Sequence, residues 1–300
     1  MTSPLCVPLP DRAVLTVGGP DASTFLQGLI SNDITRVSPS HAIWAAFLTP
    51  QGKYLHDFFI CTMGEALLLD VEASRAPDLV RRLTMYKLRS RVSIGAAIPE
   101  MAVWALTGPG AAEAFDLPPA EAGTAQALAG GVVFIDPRLA DAGARAVLPT
   151  ATGASPLLER GFGTGVADDY DRSRIALGLP DGSRDISIDK SLLLECGFDE
   201  LHGIDWQKGC FLGQELTART RYRGLVKRRL VPMRVEGPRP APGTPILVGD
   251  KPVGEVRSGS GDLALASIRL DALGEISAGE GRIAIGDAHI SPQLPSWMRI

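Results

Sequence analysis

Hydrophobic residues follow two spacings along this chain. Residues 13–17, Ala-Val-Leu-Thr-Val, are mostly apolar and predict a strand. After Gly19-Pro20-Asp21, apolar side chains recur at Ala22, Phe25, Leu26, Leu29 and Ile30. Those intervals line one face of a helix. Pro20 suits a first helical position, and Asp21 suits the positive helix end. The same order returns about ninety residues later. Residues 103–106 read as a strand, Gly108-Pro109-Gly110 follows, and a helix is expected through Ala111, Ala112 and Phe115. An internal duplication near 13–30 and 103–115 is the expectation.

Between these units, residues 42–49 and 54–61 are strand-like and joined by Pro50-Gln51-Gly52-Lys53. Residues 66–71 return after Met63-Gly64-Glu65, and Leu79, Val80, Leu83 and Tyr86 mark an amphipathic helix. Strands are expected near 132–136 and 144–148, and a helix near 166–177. From Lys227 onward the pattern changes. Short apolar runs at 230–235, 246–248, 253–257, 263–268, 282–285 and 289–291 are divided by Gly and Pro. That spacing predicts a small antiparallel barrel. The division expected is 1–228 and 229–300.

Composition narrows the function classes. The 300 residues are 45% hydrophobic and 21% charged, with a formal net charge of −4. These are values of an ordinary globular chain, long enough for two or three domains. An acidic overall field argues against general nucleic-acid binding. No window reaches ~18 uncharged apolar residues, so no membrane span is expected. The start, Met1-Thr2-Ser3-Pro4-Leu5-Cys6, lacks a basic and apolar secretory leader or an Arg-rich transit pattern. The expected location is therefore cytoplasmic.

Four cysteines, Cys6, Cys61, Cys196 and Cys210, form no C-x-x-C pair, and no metal site is expected. Three of them, Cys6, Cys61 and Cys196, sit in apolar surroundings and read as core. Cys210 differs. Lys208 lies two residues before it, and Gly213-Gln214-Glu215 reads as a helix start just after it. A nearby cation and a helix N-terminus both favour thiolate. Against that stands the usual state of a free Cys, a small buried hydrophobe.

Lys208-Gly209-Cys210-Phe211-Leu212-Gly213-Gln214-Glu215 resembles the K-G-C-[FY]-x-G-Q-E signature of the YgfZ family. That family includes the IBA57-like mitochondrial iron–sulfur assembly factors. It is related to the folate-binding glycine cleavage T protein (aminomethyltransferase) superfamily. Further segments are similar to that superfamily: Gly19-Pro20-Asp21-Ala22 with Phe25-Leu26-Gln27-Gly28 and Asn32-Asp33; Leu48-Thr49-Pro50-Gln51-Gly52-Lys53 with Asp57; and Arg174-Ile175-Ala176-Leu177-Gly178-Leu179-Pro180. Arg221-Tyr222-Arg223-Gly224 resembles the YgfZ branch. The resemblance spans about residues 10–270.

It implies an α+β, GcvT-like fold: two interlocked sheet-and-helix subdomains around a central cleft, plus a C-terminal antiparallel β-barrel. It also implies tetrahydrofolate or a derivative as cofactor and a role in iron–sulfur cluster assembly or repair. Cys210 would be the functional thiol, with Lys208 stabilising it. Gly209, Phe211, Gly213, Gln214 and Glu215 would shape the signature loop. Iron–sulfur proteins or assembly factors are the implied partners.

Two departures argue against aminomethyl transfer. His56 stands where those enzymes place the first Asp of a carboxylate pair, and Ala176 stands where they place a pterin-binding Glu. Two alternatives stay open: a folate-dependent aminomethyltransferase or demethylase, and a folate-dependent tRNA-modification factor. Arg219, Arg221, Arg223, Lys227, Arg228 and Arg229 form either a solvated face or an anion site for a folate glutamate tail. Arg221 and Arg223 are the candidates there. Trp206 is either core or a stacking surface for the pterin.

Overall fold

In this computed structural model the chain is described at residues 3–278 and 283–300. It divides into two compact units: residues 1–50, 55–170 and 201–212 form one, and 51–54, 171–200 and 213–300 the other.

The first unit holds most of two sheets, one antiparallel and one antiparallel except for its β1–β11 edge pair, which is parallel. One has the order β3-β4-β5-β2-β6, built from β2 (Arg12–Gly18), β3 (Ile43–Leu48), β4 (Tyr54–Met63), β5 (Ala66–Glu72) and β6 (Ser93–Ile94). The other has the order β11-β1-β7-β10-β9-β8. Its strands are β1 (Leu5–Pro8), β7 (Met101–Thr107), β8 (Ala125–Leu128), β9 (Gly131–Ile135), β10 (Ala144–Pro149) and β11 (Gly163–Thr164). The first strand of the chain therefore belongs to the second sheet, where it pairs with β7 and β11. The subdomains interlock through that exchange.

Each sheet buries one face against its own cover. Helices α1 (Ala22–Gln27) and α2 (Ala76–Lys87) place Phe25, Leu26, Leu79 and Leu83 on Leu15, Phe58, Ile60 and Leu69. The second sheet packs Leu106, Val133, Ile135 and Ala146 against Phe115, Leu157 and Phe162, beside α3 (Ser155–Leu158). The 111–115 segment is not the expected α-helix. It makes one 3-10 turn, Glu113–Phe115, closed by Asp116 at φ 56°. Pro118 and Pro119 follow at once, and prolines disfavour helix in the residues before them.

A polar seam joins the two sheets. Asp70 of β5 takes Arg12 Nε at 2.6 Å and Arg145 Nη2, from β10, at 2.6 Å. Arg138 pairs with Asp136 at 2.7 Å. The guanidiniums of Arg145, Arg138 and Arg12 lie 4.1, 4.9 and 5.8 Å from the Phe59 ring centre. Stacking on an aromatic face suits arginine, which is weakly hydrated and planar.

Helix α4 (Ala167–Ala176) runs on into the second unit, which also holds α5 (Gly182–Asp185), α6 (Gln214–Tyr222) and the C-terminal sheet. That sheet has the order β13-β14-β15-β12-β17-β16. The strands are β12 (Arg228–Glu236), β13 (Pro245–Val248), β14 (Lys251–Ser260), β15 (Leu263–Arg269), β16 (Ile283–Ile285) and β17 (Ala288–Pro292). Its edges β13 and β16 meet, so the antiparallel barrel is nearly closed around Val231, Met233, Ile246, Val256 and Ile290. Of the run expected at 282–285, Arg282 lies outside the described residues. Helix α7 (Leu270–Ala278) was not legible among the strand signals, since Gly274 interrupts a short apolar period. Around Cys196 the chain makes a 3-10 turn, Leu193–Cys196, stopped by Gly197 in the left-handed region.

Candidate functional site

The site grows from the segment just after α1. Helix α1 is six residues long and ends at Gln27. The chain then runs through Leu29 and Ile30 to a 3-10 turn, Ile34–Arg36, whose cap is the Asp33 carboxylate. Three polar side chains of this stretch, Gln27, Ser31 and Asn32, reach residues 202–212. Ser31 Oγ donates to Gly203 O at 2.6 Å, and the Asp205 amide donates to Ser31 O. Asn32 Nδ2 donates to Trp44 O at 2.8 Å and to His202 O at 2.7 Å. Gln27 Nε2 donates to Asp33 Oδ1 and Lys208 O, while its Oε1 accepts the Ile34 amide. The Leu212 amide closes the far end on Gly28 O. Two segments about 180 residues apart are thus stitched together. Each buried bond lost would strand its partner, at about 1–3 kcal/mol.

Within the loop, Asp205 Oδ1 accepts the amides of Gln207 and Lys208. Lys208 Nζ donates to Gln27 O at the end of α1 and to Ile30 O just past it. A cation at a helix C-terminus is favourably placed. The ammonium also sits 5.1 Å from the Phe211 ring centre. Burial lowers the Lys208 amine to about 8, while Asp33 and Asp205 pull the other way. Its hydrogen bonds run to α1 and not to the Cys210 thiol.

Phe211 is buried and Leu212 packs on the core, but Gly209 and Cys210, just before them, are exposed. Gly209 has φ 91°, a conformation side chains resist. The other three cysteines are buried. Burial, with Asp70 nearby, pushes the Cys61 thiol up to about 12. Burial, with Glu195 nearby, does the same at Cys196. Trp206 is half-buried.

Beside this loop lies a cavity of about 250 Å3 lined by Asn32, Arg36, His41, Ala42, Ile43, Trp44, Ala120, Ala122, Pro137 and His202. His202 holds a left-handed backbone, φ 57°. Burial and then Arg36 lower the His41 imidazole, so it favours the neutral form. Trp44 Nε1 donates to Asp57 Oδ2 at 3.0 Å, and Arg138 lies 5.7 Å from the Trp44 ring. The apolar residues give flat walls. Arg36 and His41 give a cationic and polar side suited to a carboxylate. No carboxylate lines the cavity, so a pterin would not find its usual bidentate acceptor there. The residues present fit the anionic end of a folate.

His56 does not face this cavity. Strand alternation sends it toward α2, where Nε2 meets Asp78 Oδ2 at 3.0 Å. Burial first, then Arg75, lowers its imidazole to about 4, against the pull of Asp78.

The second half of the signature belongs to the second unit. Gly213, at φ 81°, caps α6, and Gln214 and Glu215 begin it. A Cβ on Gly52 would lie 2.8 Å from Gly213 O, so the hairpin turn and the signature glycine need each other. Glu215 pairs with Arg219 at 2.6 Å, and Arg221 lies 3.6 Å from Asp199. Arg223 and Tyr222 are exposed. Arg229 leaves the basic run: it is buried, paired with Glu200 and bonded to Leu194 O. Ala176 is exposed at the end of α4.

Sequence reasoning noticed Gln27, Asn32 and Asp33 as a pattern without giving them a task. It missed Ser31, Arg36, His41 and Trp44. Polar Ser31-Asn32-Asp33 directly after an apolar helical face was the available signal.

Residues 227–300 match the family described as CAF17, C-terminal beta-barrel domain. A crystal structure of glycine cleavage system aminomethyltransferase T from Bartonella henselae superposes with TM-score 0.77 at 16% identity, covering 99% of this chain and 87% of that one. That likeness establishes the fold. The chain is 34% identical to the iron–sulfur cluster assembly factor IBA57, mitochondrial, of Mus musculus, over 89% of this chain and 78% of the mouse protein. The Homo sapiens protein of the same name is 32% identical, over 97% and 85%. This chain belongs to the IBA57 family.

Its IBA57 relatives correct one expectation. They are named mitochondrial, which points to the mitochondrion and overturns the cytoplasmic location. A leader is an address apart from the folded body, so a weak N-terminal pattern was poor ground for placement. Among the described residues, no helix is long and apolar enough to cross a membrane.

Proposed function

We propose that this chain is an iron–sulfur cluster assembly factor in which Cys210 is the working thiol. The observation that carries this is the exposure of Cys210, alone among four cysteines, on a loop fixed to α1. Its relatives carry the assembly-factor name. Cys210 acts as thiolate toward the cluster. Lys208 holds the loop, Gly209 makes the turn and Phe211 anchors it. The cavity takes tetrahydrofolate or a derivative, with Arg36 and His41 meeting a carboxylate. Trp206 is a stacking surface in this proposal, and Arg221 and Arg223 an anion-binding pair. The partners are iron–sulfur proteins or assembly factors.

Aminomethyl transfer is not assigned, because His56 is engaged with Asp78 and Ala176 carries no acceptor. The deciding experiment is rescue of cells that lack their own relative. The intact chain should restore iron–sulfur enzyme activity, and Cys210→Ala should not. Full rescue by Cys210→Ala would remove the thiol role. Titration with tetrahydrofolate tests the cavity, with weaker binding expected in Arg36→Ala. No binding by the intact chain would remove the folate.

A further inference from the structure

We propose that Gln27 and Lys208 are positioning residues: a reciprocal clasp between the end of α1 and the signature loop that presents Cys210. The functional meaning of the clasp rests on the thiol role given to Cys210 above.

Each residue holds the other by side chain and by backbone. Lys208 Nζ donates to Gln27 O, and Gln27 Nε2 donates back to Lys208 O at 3.2 Å. The carboxamide is used fully. Its second N–H reaches Asp33 Oδ1 at 2.9 Å, and its oxygen accepts the Ile34 amide at 3.0 Å. Only an amide side chain donates twice and accepts at one position. Capping α1 needs the Lys208 ammonium alone. The return bond from Gln27 to Lys208 O serves the loop.

Past the cysteine, Phe211 is buried beneath the same ammonium, and the Leu212 amide donates to Gly28 O. Fixed points therefore stand at 208 and at 211–212. Gly209 and Cys210 are the exposed tip between them. No atom lies within 4 Å of where a Gly209 Cβ would stand, so the tip is open on that side. Pinning both feet of so short a tip settles most of its backbone freedom before a partner arrives, which is preorganisation.

The test is Gln27→Met, which keeps the stem and removes all three side-chain bonds. Hydrogen exchange at the Lys208 and Leu212 amides should accelerate roughly tenfold, while β5 keeps its native rates. Alkylation of Cys210 by iodoacetamide should rise. A purely structural role would shift neither selectively. Lys208→Met should act the same way, and Lys208→Arg, which keeps a cation, should restore most of the native behaviour. Native exchange and alkylation in folded Gln27→Met would overturn the clasp. If that variant does not fold, Lys208→Met decides by the same readouts. The intact protein supplies a further check: the Leu212 amide should be protected and the Cys210 amide fast, and a fast Leu212 amide overturns the clasp. Full assembly activity in Cys210→Ala would remove the thiol role alone, since the exchange data judge the clasp separately.

Discussion

Two polar assemblies sit in the first unit, and they end differently. The seam around Asp70 is closed. Arg12 and Arg145 share one carboxylate, Tyr170 meets Arg145, and Phe59 fills the space among the guanidiniums. The platform around Gln27 and Lys208 is equally bonded but stops at an exposed cysteine. Buried charge is costly unless every group is paired, so the seam fixes which strands meet. The platform uses the same bonds to hold one exposed cysteine at its tip. Extensive hydrogen bonding alone marks neither a structural nor a functional role; where the network opens to solvent is what separates them.

The largest effect should come from the seam. Asp70→Asn keeps the shape and removes the charged carboxylate that the Arg12 and Arg145 guanidiniums share. Breaking a buried pair this way costs about 3–5 kcal/mol. Urea unfolding should show that loss, and a loss below about 1 kcal/mol, the worth of a surface pair, would show the seam to be solvated.

The other face of β4 sharpens the contrast through His56, a buried base held neutral. Its folded value is about 4 against an ordinary 6.5. Its contribution is therefore fully present above pH 6.5 and is lost as pH falls through about 4. The full loss is roughly 3 kcal/mol. Urea midpoints measured across that window should fall for the native chain and fall less for His56→Gln. Equal slopes would mean that His56 charges freely in the folded state.

Much of this was legible in the sequence, for physical reasons. Apolar runs and helical spacings found β2, α1, β4, α2 and most barrel strands, because the helices bury one face and β4 buries both. The eight-residue signature marked Cys210 and its neighbours. The platform was harder to see. Gln27 and Lys208 are 181 residues apart in the chain, and no local spacing reports that they meet. Lys208 looked like a partner for the thiol because it is two residues away. In space it donates to the backbone carbonyls of Gln27 and Ile30, at and just past the end of α1. The seam was invisible for the same reason: Arg12, Asp70 and Arg145 are ordinary charges in sequence and become a unit only when two sheets close on them.

The smallest stability effect should come from Cys210, the residue proposed as the working thiol. Cys210 is exposed, so Cys210→Ser removes no buried contact and should leave stability within about 0.5 kcal/mol. Cys196→Ser is the control. That thiol is 7% exposed and packed beside Leu193 and Leu194, where a hydroxyl would be buried. A buried hydroxyl without a partner costs about 1–3 kcal/mol. Thermal unfolding of the two variants should therefore separate clearly, with only Cys196→Ser shifted downward. An equal downward shift in Cys210→Ser would mean that the tip carries part of the fold, and the distinction between the closed seam and the open platform would no longer hold.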